Sequence, residues 1–280
     1  MDVNVENLIQ QSLNGKSDAL EQLTALIQDK VYGLCLRMLY NPEDAADATQ
    51  DILLKVITHL GTFRGESSFR TWVFRVAANH LLNLKRNRAE KMALTFVEYE
   101  EDLDLERARK WREDQDATLQ KVFVEEIRIS CLQGLLLCLD RSHRLVFLLH
   151  DIFGLNSTQG GLVLGIPAET YRKRLSRARE RLGSFLERNC SLMGKGNPCR
   201  CGYHAASQLD GERFSESGRL FTRKYSENID NRQLLSEMDD LNELGRLFLY
   251  HAGLNTPREI VEKIREHIHT ERNLFLSTSN

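Results

Sequence analysis

Four prolines in 280 residues leave long segments free to run as helix. No stretch approaches the roughly eighteen continuous apolar residues that a membrane-spanning helix requires. The opening MDVNVENLIQQ lacks the charged-then-apolar layout of a secretory leader, so a cytoplasmic protein with no membrane insertion is expected. The chain also lacks net charge. Its 38 basic and 40 acidic residues leave −2, which excludes a generally basic nucleic-acid coat and makes any cationic surface a local one. Six cysteines are too few for a disulfide scaffold at this length. No nucleophile with a neighbouring base stands out, and nothing marks a substrate pocket, so no enzyme is expected.

What is present is hydrophobic content of 41% at repeated three- and four-residue spacing, the pattern of an all-α protein with real cores. Leu20, Leu23, Ile27, Val31, Leu34 and Met38 form one stripe, closed by Asn41-Pro42, a cap followed by a first-turn proline. The next helix, Glu43 to Leu60, starts with acids suited to the positive end of its dipole. Burial of Ala45, Ala48, Ile52, Val56 and Leu60 would leave Asp44, Asp47, Gln50, Asp51 and Lys55 facing water or a partner. A loop of small residues leads into Phe69 to Asn87, where Phe69, Trp72, Val73, Val76, His80, Leu81 and Leu84 make the stripe. Aromatics and arginines interleave here, the ingredients for holding unstacked bases beside a tracked backbone. The alternative is that Phe69 and Trp72 are core residues.

From Ile166 to Leu182 one helix carries two faces. Tyr171, Leu175, Ala178 and Leu182 recur at helical spacing, while Arg172, Lys173, Arg174, Arg177, Arg179 and Arg181 gather outside. Such density of cations repels itself unless it meets a polyanion, for which a phosphate backbone is the commonest candidate. A solvated basic face is the alternative. Before it come an apolar helix from Leu139 to Leu155, a capping-box start at Asn156 and Gln159, and the turn Leu164-Gly165-Ile166-Pro167. Helix, turn and basic helix is the order that places the last helix in a major groove.

Two runs carry a family resemblance. NPEDAADATQDILLKVITHLGTFRGESSFRTWVFRVAANHLLNLKR resembles region 2 of sigma-70-family initiation factors, and LDRSHRLVFLLHDIFGLNSTQGGLVLGIPAETYRKRLSRARERL resembles their region 4. With only these two regions the chain is similar to the extracytoplasmic-function (group 4) subclass. The resemblance implies two helical domains, region 2 over residues 1–90 and a helix-turn-helix region 4 over 131–189, joined by an acidic linker at 91–130. A small Cys-containing helical extension at 190–280 lies outside the family pattern, and it reads either as a regulator that masks the sigma regions or binds polymerase, or as a passive stabilising tail. It assigns Asp44, Asp47, Gln50 and Asp51 to the β′ clamp of core RNA polymerase, and it names the β flap and promoter DNA as further partners. An anti-sigma factor is a third kind of partner that it admits. Phe63, Arg64, Ser67, Ser68, Arg75 and Asn79 would capture the melted minus-ten strand. Thr170, Lys173, Arg174 and Arg177 would face the minus-thirty-five groove, with Arg172, Arg179 and Arg181 on phosphates. A helix-turn-helix regulator acting without polymerase is the competing reading. Gly160 and Gly161 depart from the family pattern and, at about 1 kcal/mol each, predict a loose first helix.

The acidic linker reads either as a segment threading polymerase or as a solvated tether. Beyond region 4, Cys190, Cys199, Cys201 and His204 form a knuckle of soft donors that fits a zinc site, a thiol switch or inert thiols. Cys35, Cys131 and Cys138 read as packing residues. Leu234 to Phe248 shows helical spacing, and Thr256-Pro257-Arg258-Glu259 reads as a capping box that opens a last helix with Ile260, Ile264 and Ile268 on one side.

Overall fold

The computed structural model describes residues 4–86, 88–103, 117–194, 196–197, 199–201, 243–249 and 255–277. Among them the chain is helical, with no named strand and one isolated bridge between Cys190 and Cys199.

The N-terminal domain is built from α1 (Val5–Leu13), α2 (Ser17–Ala25), α3 (Gln28–Leu39), α4 (Pro42–Thr58) and α5 (Phe69–Asn83). The first stripe is split between α2 and α3. Asn41 caps α4 by accepting from the amides of Glu43 at 2.8 Å and Asp44 at 3.0 Å, with Pro42 at the first position, as the dipeptide predicted. α3 and α4 pack closely, and Val31, Leu34, Met38, Ala45, Ile52 and Leu81 are fully buried between them and α5.

The acidic segment is not a bare tether where it is described. After the short α6 (Arg88–Lys91), α7 (Phe96–Asp102) opens with a capping box between Thr95 and Glu98. Phe96 and Tyr99 set their rings 6.0 and 5.7 Å from Phe185, and the Tyr99 hydroxyl donates to the Cys131 carbonyl at 3.1 Å. α8 (Ala117–Leu137) runs across the expected boundary at residue 130, because Ile127, Ile129, Leu132, Leu135 and Leu136 continue one buried surface.

The C-terminal domain comprises α9 (Arg141–Phe147), a π-helical turn (Leu148–Ile152), α10 (Ser157–Leu164) and α11 (Ala168–Asn189). It docks on the first domain, with α10 against α5. Two arginines fasten this junction. Arg141 donates to Glu90 through Nε at 2.8 Å and to the Leu81 carbonyl at 3.0 Å. Arg144, 3% exposed, donates to the carbonyls of Leu136 and Leu139 at 2.9 Å each, reaches Met38 O across the junction, and pairs with Glu90 at 3.3 Å. Burial pulls the Arg144 guanidinium down to about 10, with Glu90 opposing, so it stays charged at neutral pH.

The appendage supplies α12 (Glu243–Leu249) and α13 (Arg258–Ser277). Leu234, Leu235, Met238 and Leu241 lie outside the described residues; Leu244 and Phe248 are buried. The expected isoleucine stripe is realised, with Ile260, Ile264 and Ile268 at 4, 3 and 4% exposure, each removal from water stabilising by about 1.5–3 kcal/mol. Thr256 behaves differently from the capping-box expectation. Its amide and hydroxyl both donate to Asp29 Oδ1 of α3 at 2.8 Å, so the residue fastens the helix to another element.

Candidate nucleic-acid and polymerase surfaces

On α11 the apolar stripe is buried as its spacing predicted, Tyr171, Ala178 and Leu182 completely and Leu175 nearly so. Gly165 turns the chain in a left-handed conformation at φ 63°, and Pro167 sets the extended residue before the helix. α10 starts with a reciprocal capping box, Asn156 accepting from Gln159 N at 2.9 Å and Gln159 accepting from Asn156 N at 3.0 Å. The two glycines are what lets α10 and α11 meet. A Cβ on Gly160 would lie 2.3 Å from the Tyr171 ring, and one on Gly161 2.8 Å from the Ile166 carbonyl. The Tyr171 hydroxyl passes over this seat to donate to Val146 O at 3.0 Å. The expectation of a loose first helix is therefore replaced by a close approach that only glycine fits.

The cations divide into two sets. Arg172, Lys173, Arg177 and Arg181 are exposed, and Thr170 and Arg174 are half-buried beside them. Lys173 pairs with Glu169 at 2.7 Å, and Arg172 reaches the Ser157 hydroxyl at 3.3 Å. Arg179 turns inward. Its Nε and Nη2 grip Asp151, a carboxylate 1% exposed on the π-helical turn, at 2.6–3.1 Å. Its charge is thus neutralised within the protein, whereas the sequence had set it among the phosphate contacts.

On the N-terminal domain, Asp47 and Asp51 of α4 are exposed, with Asp44 and Gln50 half-buried on the same side. Between α4 and α5 lies an open cleft of about 650 Å³, lined by Lys55, His59, Thr62, Trp72, Arg75, Val76, Asn79, His80, Asn83 and Leu84. Of the six residues expected to hold melted strand, Arg75 and Asn79 line it. The other four stand at the loop before α5. Phe63 packs edge-on against Phe69 and Trp72 at 5.7 Å, and the Ser68 hydroxyl caps α5 by accepting from Thr71 N at 3.1 Å. Ser67 and Arg64 lie in the same loop, Ser67 donating to Ser68 O at 3.3 Å and Arg64 exposed.

Phe69, Val73 and Leu81 of the expected stripe are buried, with Phe74, Ala77 and Ala78 beside them, while Trp72 and Val76 pack against the core and, with His80, also line the cleft. Lys55, His59, His80 and Asn83 were not on the expected list; Lys55 left over by the α4 stripe was the available signal. Lys55 Nζ lies 2.6 Å from His80 Nδ1, and Asp51 lies 3.8 Å from Nε2. Burial and then Lys55 push the His80 pKa down, with Asp51 opposing, which keeps the ring neutral.

Of the knuckle's four candidate donors, Cys190, Cys199 and Cys201 are among the described residues. Among the described residues no group of three His, Cys, Asp or Glu side chains could hold a metal ion, and His204 lies outside them. The loop is ordered by backbone pairing of Cys190 with Cys199 and by the Asn197 amide, which donates to the carbonyls of Glu187 at 2.6 Å and Cys190 at 3.1 Å at the end of α11. Burial first, then the neighbouring thiols, pushes Cys199 up to about 12; Cys131 also reaches about 12, chiefly through burial, with Cys201, Cys199 and Cys190 adding. Burial thus disfavours the thiolate, the form that reacts and binds metal.

Residues 25–90 match the family model for sigma-70 region 2, and residues 129–182 match that for sigma-70 region 4. The chain belongs to the sigma-70 family. Its relatives include the RNA polymerase sigma-H factor of Pseudomonas aeruginosa, 27% identical over 184 residues, which are 65% of this chain and 93% of the relative. They also include the ECF RNA polymerase sigma factor SigW of Bacillus subtilis, 28% identical over 187 residues, 65% of this chain and 96% of that one. Such relatives place the chain in the extracytoplasmic-function group. A solved structure of CnrH in complex with the cytosolic domain of CnrY is similar at a TM-score of 0.45 and 23% identity, covering 64% of this chain and 95% of that one. No described helix of this sigma-70-family chain is long and apolar enough to cross a membrane.

Proposed function

We propose that this protein is a sigma factor that joins core RNA polymerase and directs promoter-specific initiation, working by binding rather than catalysis. In this reading the Asp44, Asp47, Gln50 and Asp51 side of α4 engages the β′ clamp. The α4–α5 cleft receives a base unstacked from the melted minus-ten strand, with Trp72 offering a stacking face and Arg75, Asn79 and Lys55 offering charge and hydrogen bonds. α11 enters the minus-thirty-five major groove with Lys173, Arg174 and Arg177 toward base edges, where a bidentate arginine discriminates by about 1–3 kcal/mol. Arg172 and Arg181 set register on phosphates. Arg179 instead holds α11 on its own domain through Asp151.

The observation that carries this is the presence, in one chain, of both matched regions, each with an open face of the right charge. A regulator working without polymerase would leave the acidic helix and the α5 cleft idle. Run-off transcription with purified core polymerase over a promoter library tests the proposal. Initiation at a shared promoter class, abolished by Asp47→Arg with Asp51→Arg, is expected. Duplex binding with no initiation would favour the competing regulator.

A further inference from the structure

The two described helices of the appendage seat on different domains. α12 packs on the π-helical turn and on α11, with Phe248 2% exposed and its ring edge-on to Phe147 at 5.2 Å. α13 packs on α2 and α4, pressing Ile260, Ile264 and Ile268 into that face. Around the isoleucines run polar fastenings: Thr256 to Asp29 at 2.8 Å, Arg265 to Glu21 at 3.2 Å and His269 to Glu21 at 2.7 Å. One segment therefore bridges the two DNA-reading bodies.

Those bodies are also too close to act. α11 packs on α10 and α10 packs on α5, so two helix contacts of 8–10 Å leave the two reading helices about 20 Å apart. Promoter elements centred near minus ten and minus thirty-five are separated by about 25 base pairs at roughly 3.4 Å each, or about 85 Å. The closed arrangement can hold one element or the other, not both.

We propose that α12 and α13 form a clasp in cis: each fills a helix-binding face on one domain, together they hold region 2 against region 4, and core polymerase must displace them to open the molecule. The proposal rests on the sigma reading above. The α2–α4 face is matched to an amphipathic helix with aliphatic residues at every fourth position, and the chain supplies that helix itself. α13 lies against α4, the helix bearing the polymerase-binding acids, yet Asp47 and Asp51 remain exposed on it. Polymerase can thus engage the acidic edge first and dislodge α13 as it seats.

The test uses the full-length chain, with small-angle scattering for opening and titration with core polymerase for affinity. Ile264→Asp puts a charge into the apolar seat; the radius of gyration should rise by roughly a fifth or more above the ~19 Å expected of a closed body this size, and core affinity should rise about tenfold. Glu21→Arg, on an accessible side chain, should raise core affinity about two- to fivefold, and adding Arg265→Glu should reverse the gain. This charge-swap pair carries the test should Ile264→Asp unfold the domains, which circular dichroism would show. Unchanged radius and affinity in the variants that stay folded, or weaker core binding on opening, overturns the clasp. Opening without any core binding, in wild type or variants, leaves the clasp standing and sinks the sigma reading instead.

Discussion

The two helices proposed to read DNA are built on opposite plans. α11 carries its reader on a single helix: one buried stripe, one exposed row, and a glycine seat that fixes its angle to α10. α5 contributes only part of its reader, because the cleft takes Lys55 and His59 from α4 and its end along with Arg75, Asn79 and His80 from α5. A duplex groove admits a whole helix, so one face suffices; an unstacked base needs walls on several sides, so two helices share the work. One site can therefore be altered residue by residue, and the other only in concert.

The largest expected effect lies where the two plans meet. Glu90→Ala leaves Arg141 and Arg144 without their carboxylate, Arg144 deeply buried, and should destabilise the protein by about 3–5 kcal/mol in urea titrations. A loss under about 1 kcal/mol would show that the junction does not hold the fold.

Gly160→Ala sharpens the contrast within region 4 by its sign. Helix propensity alone predicts a gain of about 1 kcal/mol, whereas the Tyr171 ring in the way predicts a loss of about 1–3 kcal/mol and weaker duplex binding. A thermal melt decides between them. Arg177→Ala and Arg179→Ala should then separate the two cation sets. The first should cost about 1–3 kcal/mol in duplex affinity with stability kept, while the second should lower stability by stranding Asp151 and leave the salt slope of binding nearly unchanged. Equal salt slopes lost in both would return Arg179 to the phosphate row.

The smallest effect concerns the cleft. His80 titrates below its ordinary value in the folded protein, so folding favours the neutral ring; the stability tied to it is complete above about pH 6.5, the unfolded value, and is lost as pH falls below that. Wild type minus His80→Gln, compared by urea midpoints from pH 8 to pH 5, should show this slope. A difference that grows on acidification would reverse the assignment.

These cases also explain what could be read in advance. The α11 stripe, the Asn41-Pro42 cap, the Asn156–Gln159 box and the isoleucine row of α13 depend on residues within two turns of one another, so spacing alone exposes them. The cleft-lining role of Trp72 and His80 was not legible because one helix looks the same from sequence whether the edge of its stripe meets a core or a cleft, and α4 decides which. The inward turn of Arg179 depends on Asp151, 28 residues earlier, and the role of Thr256 on Asp29, 227 residues earlier; no local pattern holds either pair. Glycines 160 and 161 were legible as unusual, but their reason sits on the next helix.

The inward arginine has a practical corollary for retargeting. Because Asp151 clamps the shaft of α11 from below, the side chains at 173, 174 and 177 form an interchangeable bit held in a fixed chuck. New promoter preferences can be sought by exchanging those three alone, without re-aiming the helix that presents them.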